Sequence, residues 1–246
     1  MIDTIIEKLD LFFSKNDYES AEKYLLELKE KAAADGDKKI LLFVLNELMG
    51  LNRKLARKDL AISYTEKALC LVKEMGIEKN VGAATTYLNS ATVYKAFGRS
   101  NEGISLFEKA REIYENGLSK DDRRLAGLYN NMALALTDED EFEYAESCYK
   151  KALEVLSLSS KNEGEMAITH LNLANLFEKQ MGLENAQQKI SQCIENAQQL
   201  LDKAYSETDG NYAFICEKCA STFGYYGYFV YENELKNRAR RIYERA

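Results

Sequence analysis

Apolar residues recur three or four positions apart through most of the chain, and short polar stretches separate these segments. Residues 125–136 are typical, because the spacing of most of their large apolar side chains places them on one side of an α-helix. The segments are rich in Ala, Leu, Glu and Lys, which are good helix formers, and the chain contains no proline. The pattern therefore predicts an all-α protein.

The helical segments repeat with a period of about 42 residues. Three segments align without gaps over their first turns, and each carries three small residues, the second twelve positions after the first and the third seven positions later. These residues are Ala91, Gly103 and Ala110; Ala133, Ala145 and Ala152; and Ala174, Ala186 and Cys193. Weaker copies around Leu9, Met49 and Ala220 bring the predicted number of units to six.

Each unit is predicted to form helix A, a short turn and helix B, and positions are counted so that the first of these landmark residues is position 8. The predicted units are 2–41, 42–83, 84–125, 126–166, 167–212 and 213–246, within a single domain that spans 1–246. Polar stretches such as FGRS and QMGLE supply the turns, and stretches such as AADGDKK and NGLSKDD connect the units.

This arrangement resembles the tetratricopeptide repeat family. The matching residues are small at position 8, aromatic at position 11 (Phe12, Tyr94, Phe177, Phe223), and alanine at positions 20 and 27 in most copies. The resemblance implies a right-handed α-solenoid of about six helix-turn-helix units, whose A helices line a concave groove. Two features depart from the family pattern, because the usual proline that closes helix B is absent and the period is longer than usual. Such long repeats look like those of kinesin light chains and of bacterial peptide-sensing regulators, a likeness that rests mainly on LYNNMAL and HLNLANLF.

Three asparagines occupy position 6 in successive repeats: Asn89, Asn131 and Asn172. At about 100° per residue, position 6 lies opposite the core positions of helix A, on the face that the resemblance assigns to the groove. A primary amide both donates and accepts hydrogen bonds, so a ladder of amides can pair with the backbone of an extended peptide. The predicted groove residues are Glu47, Thr85, Asn89, Thr92, Asn131, Leu134, Asn172, Asn175, Lys179 and Lys218.

Charge is unevenly distributed along the predicted groove. The first two units present Asp3, Glu7, Asp10 and Glu47, whereas the last units present Lys179 and Lys218. We therefore expect a ligand with basic character near one end and acidic character near the other. The double substitution Asn131→Ala, Asn172→Ala is expected to weaken its binding sharply.

The net charge, the N-terminal sequence and the cysteine content argue against several other classes of function. A formal charge of −7 disfavours direct nucleic-acid binding, which depends on Lys and Arg at phosphates. The N-terminus lacks the basic and apolar regions of a signal peptide, and no apolar run is long enough to span a membrane. Five scattered cysteines fit a reducing compartment, so the sequence predicts a cytoplasmic protein without membrane contact.

The sequence offers no supported catalytic, metal or cofactor site. Cys216 and Cys219 form a CxxC pair, but they occupy core positions and lack a second pair that would complete a zinc site. His170 is the only histidine, at a position where the sister repeats have Tyr87 and Tyr129, so it is expected to be packed within its repeat. The acidic segment DEDEFE at 138–143 lacks the spacing of a calcium loop and is expected to be a solvated turn.

The last repeat combines aromatic residues between Phe223 and Tyr231 with a basic helix that contains Lys236, Arg238, Arg240, Arg241 and Arg245. Basic side chains can give a terminal repeat the polar outer face that it needs, because no further repeat covers it. The same patch could instead support a homodimer or partner docking.

These observations favour a non-enzymatic scaffold that binds a protein or peptide segment, without a cofactor. The alternative is a sensor whose superhelix responds to a small signalling peptide. Because the chain begins directly in the first repeat, the sensor would act through a separate effector. An enzyme is the weakest alternative, since the sequence supplies no catalytic group.

Overall fold

The computed structural model describes residues 2–205 and 210–244, and over this range the chain is helical with no strand. The helices are α1 (Ile2–Ser14), α2 (Tyr18–Ala34), α3 (Lys38–Lys54), α4 (Lys58–Glu74), α5 (Val81–Ala96), α6 (Ser100–Gly117), α7 (Arg123–Asp138), α8 (Phe142–Ser157), α9 (Glu163–Met181), α10 (Leu183–Ala204), α11 (Gly210–Tyr225) and α12 (Phe229–Tyr243). The all-α prediction is confirmed. Among the described residues, no helix has the length and apolar character needed to cross a bilayer.

Consecutive helices pair as hairpins, and the odd-numbered helices are the A helices of the predicted repeats. Every turn from A to B contains one residue with positive φ: Asn16, Ala56, Gly98, Asp140, Gly182 and Gly227. In most hairpins the residue after it donates its N–H to the carbonyl of position 11, as Asp17 does to Phe12 at 2.9 Å and Glu141 does to Leu136 at 2.9 Å. This left-handed cap satisfies carbonyls that would otherwise lack a partner and ends helix A at a fixed point of the repeat.

Small residues permit close helix packing at the landmark positions. Ala91, Ala133 and Ala174 at position 8 are fully buried. Helices α5 and α6 approach closely, since a Cβ atom added to Gly103 would be 2.9 Å from the carbonyl oxygen of Ala91. The repeat pattern of small residues therefore has a direct steric cause.

The chain divides into two compact units, Met1–Gly117 and Leu118–Ala246. The N-terminal unit contains α1 to α6, with Leu48, Phe107 and Tyr114 buried in its core. The C-terminal unit contains α7 to α12 and buries Tyr149 and Phe223. The single domain over 1–246 and its repeat boundaries stay a prediction.

Candidate functional site

Asn89 in the N-terminal unit belongs to a small hydrogen-bond network. Its Nδ2 donates to Oδ1 of Asn46 on α3 at 2.9 Å. Asn46 in turn donates its own Nδ2 to the carbonyl of Leu42 at 2.9 Å and to the hydroxyl of Thr86 at 3.0 Å. The backbone carbonyl of Leu42 can only accept a hydrogen bond, so it must face the NH2 group of Asn46. The Oδ1 atom of Asn46 is therefore the atom that faces Asn89. Asn89 consequently uses its NH2 group inside the protein and keeps its Oδ1 for another partner.

Asn131 in the C-terminal unit also uses its NH2 group within the protein. Its Nδ2 donates to the carbonyl of Gly127, one turn earlier in α7, at 2.8 Å. Asn172 on α9 is half-buried, and its amide has no hydrogen-bond partner within residues 2–205 and 210–244. Leu134 is likewise half-buried on α7. In Asn89 and Asn131, therefore, one N–H of the amide is bonded within the protein, and Oδ1 has no partner among the described residues.

Both threonines of the predicted groove, Thr85 and Thr92, form hydrogen bonds within the protein. Thr92 donates its hydroxyl to the carbonyl of Leu88 at 2.8 Å. The Thr85 hydroxyl lies 3.3 Å from the carbonyl of Val81 and 2.8 Å from the hydroxyl of the buried Tyr114 on α6. Thr85 thus connects helix A to helix B of its own hairpin.

Glu47 is the acidic group with the most distinct environment. It is half-buried on α3, and burial raises the pKa of its carboxyl, with a smaller contribution from the nearby charge of Asp10. No ion pair or hydrogen bond satisfies the Glu47 carboxylate within the described part of the chain. A buried acid without a partner gains most from a cation brought by another molecule.

The basic end of the predicted groove differs from the simple expectation of two projecting lysines. Lys179 Nζ lies 2.5 Å from the carbonyl oxygen of Thr137 and 3.2 Å from that of Asp138, and it forms an ion pair with Asp140 at 2.8 Å. Its charge therefore caps the C-terminal end of α7, where helix carbonyls favour a cation. Lys218 on α11 is exposed.

Asn175 lies in an open cleft of the C-terminal unit together with Lys179. Residues Asn175, Glu178, Lys179, Gly182, Leu183, Ser221, Thr222 and Tyr225 line this cleft. The Tyr226 hydroxyl lies 2.9 Å from Oδ1 of Asn175, and both Tyr225 and Tyr226 donate to the Glu178 carboxylate at 2.6 and 2.8 Å. The sequence pattern did not indicate these tyrosine contacts, because they join residues about 50 positions apart.

The CxxC cysteines, Cys216 and Cys219, are buried and His170 is half-buried. Burial raises the pKa of the Cys219 thiol to about 12. Burial lowers the pKa of His170, whose Nδ1 is enclosed without a hydrogen-bond partner in the described structure. Among the residues that the structure describes, no group of three or more His, Cys, Asp or Glu side chains is arranged to hold a metal ion.

Arg238 is a correction to the predicted basic outer face of the last repeat. It is only 8% exposed and donates to the Tyr212 hydroxyl at 3.1 Å, with ion pairs to Asp202 at 2.9 Å and Glu234 at 3.0 Å. The guanidinium packs over an aromatic ring, where it joins α12 to α10 rather than facing solvent. Lys236, Arg240 and Arg241 are exposed, and Arg245 lies outside the described residues.

The chain is similar to known repeat proteins along most of its length. Residues 82–157 match the family model described as Tetratricopeptide repeat. Protein KINESIN LIGHT CHAIN-RELATED 3 of Arabidopsis thaliana is 24% identical over 185 residues, which is 72% of this chain and 28% of that protein. The chain therefore spans little more than a quarter of the length of this relative.

Two solved structures share the fold. BtubC (BKLC) from P. vanneervenii has a TM-score of 0.69 and 21% identity, and the match covers 81% of this chain and 79% of that chain. A Rap protein complexed with Competence and Sporulation Factor has a TM-score of 0.58 and 12% identity, with 97% of this chain and 73% of that chain covered. Residues 82–157 therefore match the tetratricopeptide repeat family, and the fold along most of the chain is similar to that of these two solved structures.

Proposed function

We propose that this protein is a scaffold that binds an extended protein or peptide segment on the exposed faces of its A helices. The observation that carries the proposal is the asparagine at position 6 of α5, α7 and α9, on the side of helix A away from its core positions. In Asn89 and Asn131 one N–H of the amide is bonded within the protein, which anchors the side chain and keeps Oδ1 available as an acceptor. Backbone N–H groups of an extended segment can donate to such oxygens whatever the side chains of the segment.

Glu47 supports a preference for a cationic group in the segment. Its carboxyl is half-buried near Asp10, and burial opposes its ionisation. A Lys or Arg side chain of the ligand would relieve this cost, so the N-terminal unit is suited to the basic part of the segment. In the C-terminal unit, Lys218 is exposed and would suit an acidic part.

The likeness to a Rap protein complexed with Competence and Sporulation Factor favours a second candidate function. In that case the chain would be a sensor in which a bound peptide changes the shape of the protein. Small-angle scattering with and without a bound peptide distinguishes the two, because a sensor changes its radius of gyration and a passive scaffold does not.

The proposal is tested by selecting binders from a library of random twelve-residue peptides displayed on phage. Selected peptides are synthesised and titrated against the full chain by calorimetry. We expect extended peptides that contain Lys or Arg, with affinities that decrease on Glu47→Gln substitution and stay unchanged on Glu30→Gln substitution, since Glu30 is exposed on a B helix. Failure to select any specific peptide, or selection of peptides whose affinity ignores every A-helix substitution, would contradict the proposal.

A further inference from the structure

Asn46, Thr86 and Asn89 form a network that joins two successive A helices of the N-terminal unit, and we call it the amide clasp. Asn46 is at position 5 of α3, whereas Thr86 and Asn89 are at positions 3 and 6 of α5. Asn46 donates to Thr86 at 3.0 Å and accepts from Asn89 at 2.9 Å. The Asn46 amide is thereby satisfied at both ends, and the NH2 group of Asn89 is bonded to it.

The same three residue types stand at the same three positions of the C-terminal unit. Asn130 is at position 5 of α7, and Thr169 and Asn172 are at positions 3 and 6 of α9. Helices α7 and α9 pack against each other, as α3 and α5 do. Thr169 is fully buried, like its counterpart Thr86.

Position 5 of one A helix and position 3 of the next change together along the chain, from asparagine and threonine to two apolar residues. Where position 5 is Ile6, Leu88 or Leu171, position 3 of the following A helix is Val44, Leu128 or Ile215. Position 3 is a core position, at which an unpaired hydroxyl would be costly. Both threonine hydroxyls are paired: that of Thr86 lies 3.3 Å from the carbonyl oxygen of Gly82 and accepts from Asn46, and that of Thr169 donates to the carbonyl oxygen of Glu165 at 2.8 Å.

The C-terminal copy contains the same polar groups as the amide clasp, but its two asparagines are not hydrogen-bonded to each other. Oδ1 of Asn130 is buried and has no hydrogen-bond partner, and the Asn172 amide has none either, within the described ranges of the chain. Buried carbonyl oxygens are almost always paired in folded proteins. The Asn172 NH2 group is the donor that the N-terminal copy places at the equivalent oxygen.

We propose that Asn46 and Asn130 are positioning residues that orient the amides at position 6. Each accepts a hydrogen bond from the next position-6 asparagine, Asn89 or Asn172, and so fixes that residue with its carbonyl oxygen toward the ligand. The inference rests on the proposed peptide-binding function. It adds that the position-6 ladder is an array of acceptors that selects N–H donors of the ligand, and that Asn131 reaches the same orientation through Gly127 of its own helix.

The clasp is tested first without any peptide, by NMR of the side-chain NH2 groups in the full chain. The substitutions are Asn130→Leu and Asn46→Leu, because leucine already occupies position 5 in α5 and α9. Signals are assigned from Asn89→Ala and Asn172→Ala variants, and circular dichroism checks that each variant is folded.

Each substitution should affect only its own partner. In Asn130→Leu, hydrogen exchange of the Asn172 NH2 group should accelerate about fivefold, which corresponds to the loss of one ordinary hydrogen bond, while that of Asn89 stays unchanged. Asn46→Leu should give the reverse result, and Asn130→Asp, which keeps the acceptor oxygen, should leave Asn172 protected. Exchange of Asn172 that ignores Asn130→Leu, or equal changes at both asparagines, would overturn the clasp.

The orientation toward the ligand is tested with the selected peptides after methylation of each backbone nitrogen in turn. At least one N-methyl group should reduce affinity about tenfold in the wild-type chain, and this penalty should shrink in the Asn172→Ala or Asn89→Ala variant. If no N-methyl group has this coupled effect, the acceptor array is wrong. Absence of any selected peptide would refute the proposed function and the acceptor array with it, whereas the exchange measurement judges the clasp independently.

Discussion

Glu47 shows how one half-buried side chain connects stability with binding. Burial raises the pKa of its carboxyl, and Asp10 adds a like charge nearby. A folded-state pKa above the unfolded value means that the folded chain holds the proton more tightly. The contribution of Glu47 to stability is therefore favourable below its ordinary pKa near 4.5 and is lost as pH rises through the folded-state pKa.

The substitution Glu47→Gln should consequently stabilise the protein at pH 7. The neutral amide avoids the cost of an ionised, half-buried carboxylate, so the melting temperature should rise at pH 7 and the difference should vanish as pH approaches 4. Thermal unfolding of both chains across this pH range measures the effect. Glu7→Gln, at an exposed site of α1, is the matched control and should change little at either pH. A destabilised Glu47→Gln chain at pH 7 would show that the carboxylate has a favourable partner.

At the residue scale, the sequence indicates the side of a helix on which a residue lies, but it does not indicate the residue's hydrogen-bond partners. The register of position 6 follows from 100° per residue, and it places Asn131 on a different side of the helix from its neighbour Asn130 at position 5. The partner of Asn89 is Asn46, which lies 43 positions away, and its identity depends on the packing of two helices. Arg238 illustrates the same limit, because its burial depends on aromatic rings and carboxylates from three helices.

At the element scale, Gly103 reports how closely α5 and α6 approach. Four of the five sister repeats carry alanine at this position, and a helix normally gains from replacing glycine by alanine. Here a Cβ atom would lie 2.9 Å from the carbonyl oxygen of Ala91, which is a backbone atom that cannot move aside easily.

Gly103→Ala should therefore destabilise the protein by about 1–3 kcal/mol, because overpacking outweighs the gain in helix propensity. Gly50→Ala in α3 is the control, since a Cβ atom there meets no atom within 4 Å, and it should stabilise by about 1 kcal/mol. Denaturant unfolding of the two variants measures both. Equal stabilisation by both substitutions would show that α5 and α6 can separate at no cost.

The helices and their turns were largely predictable, since the 42-residue pattern of small residues marks both partners of each hairpin. The turn conformation was only partly predictable. Glycine or asparagine at Gly98, Gly182, Gly227 and Asn16 indicates a left-handed residue, whereas Ala56 and Asp140 adopt the same conformation in less permissive sequence contexts. There the cap is imposed by the end of helix A and the start of helix B.

At the scale of the whole molecule, the chain consists of two compact units with three helical hairpins each. In repeat proteins each hairpin is stabilised mainly by its neighbours, and about three repeats suffice for a stable core. Each unit has its own set of fully buried large side chains.

Residues 1–117 and 118–246, expressed separately, should each fold. Far-ultraviolet circular dichroism of each fragment should show a helical spectrum and a cooperative thermal transition. The fragments are compared with the shorter segment 1–76, whose two hairpins should be much less stable. A fragment that is unfolded at low temperature would show that its unit depends on the rest of the chain.

The central claim is that asparagines at position 6 bind the backbone of an extended segment. Its most direct test is the affinity of a selected peptide for the wild-type chain and for the Asn131→Ala, Asn172→Ala double variant, measured by calorimetry. The loss of two hydrogen bonds predicts an affinity at least about tenfold lower, with the helical content unchanged. A double variant that is folded and binds the peptide with wild-type affinity would contradict the claim.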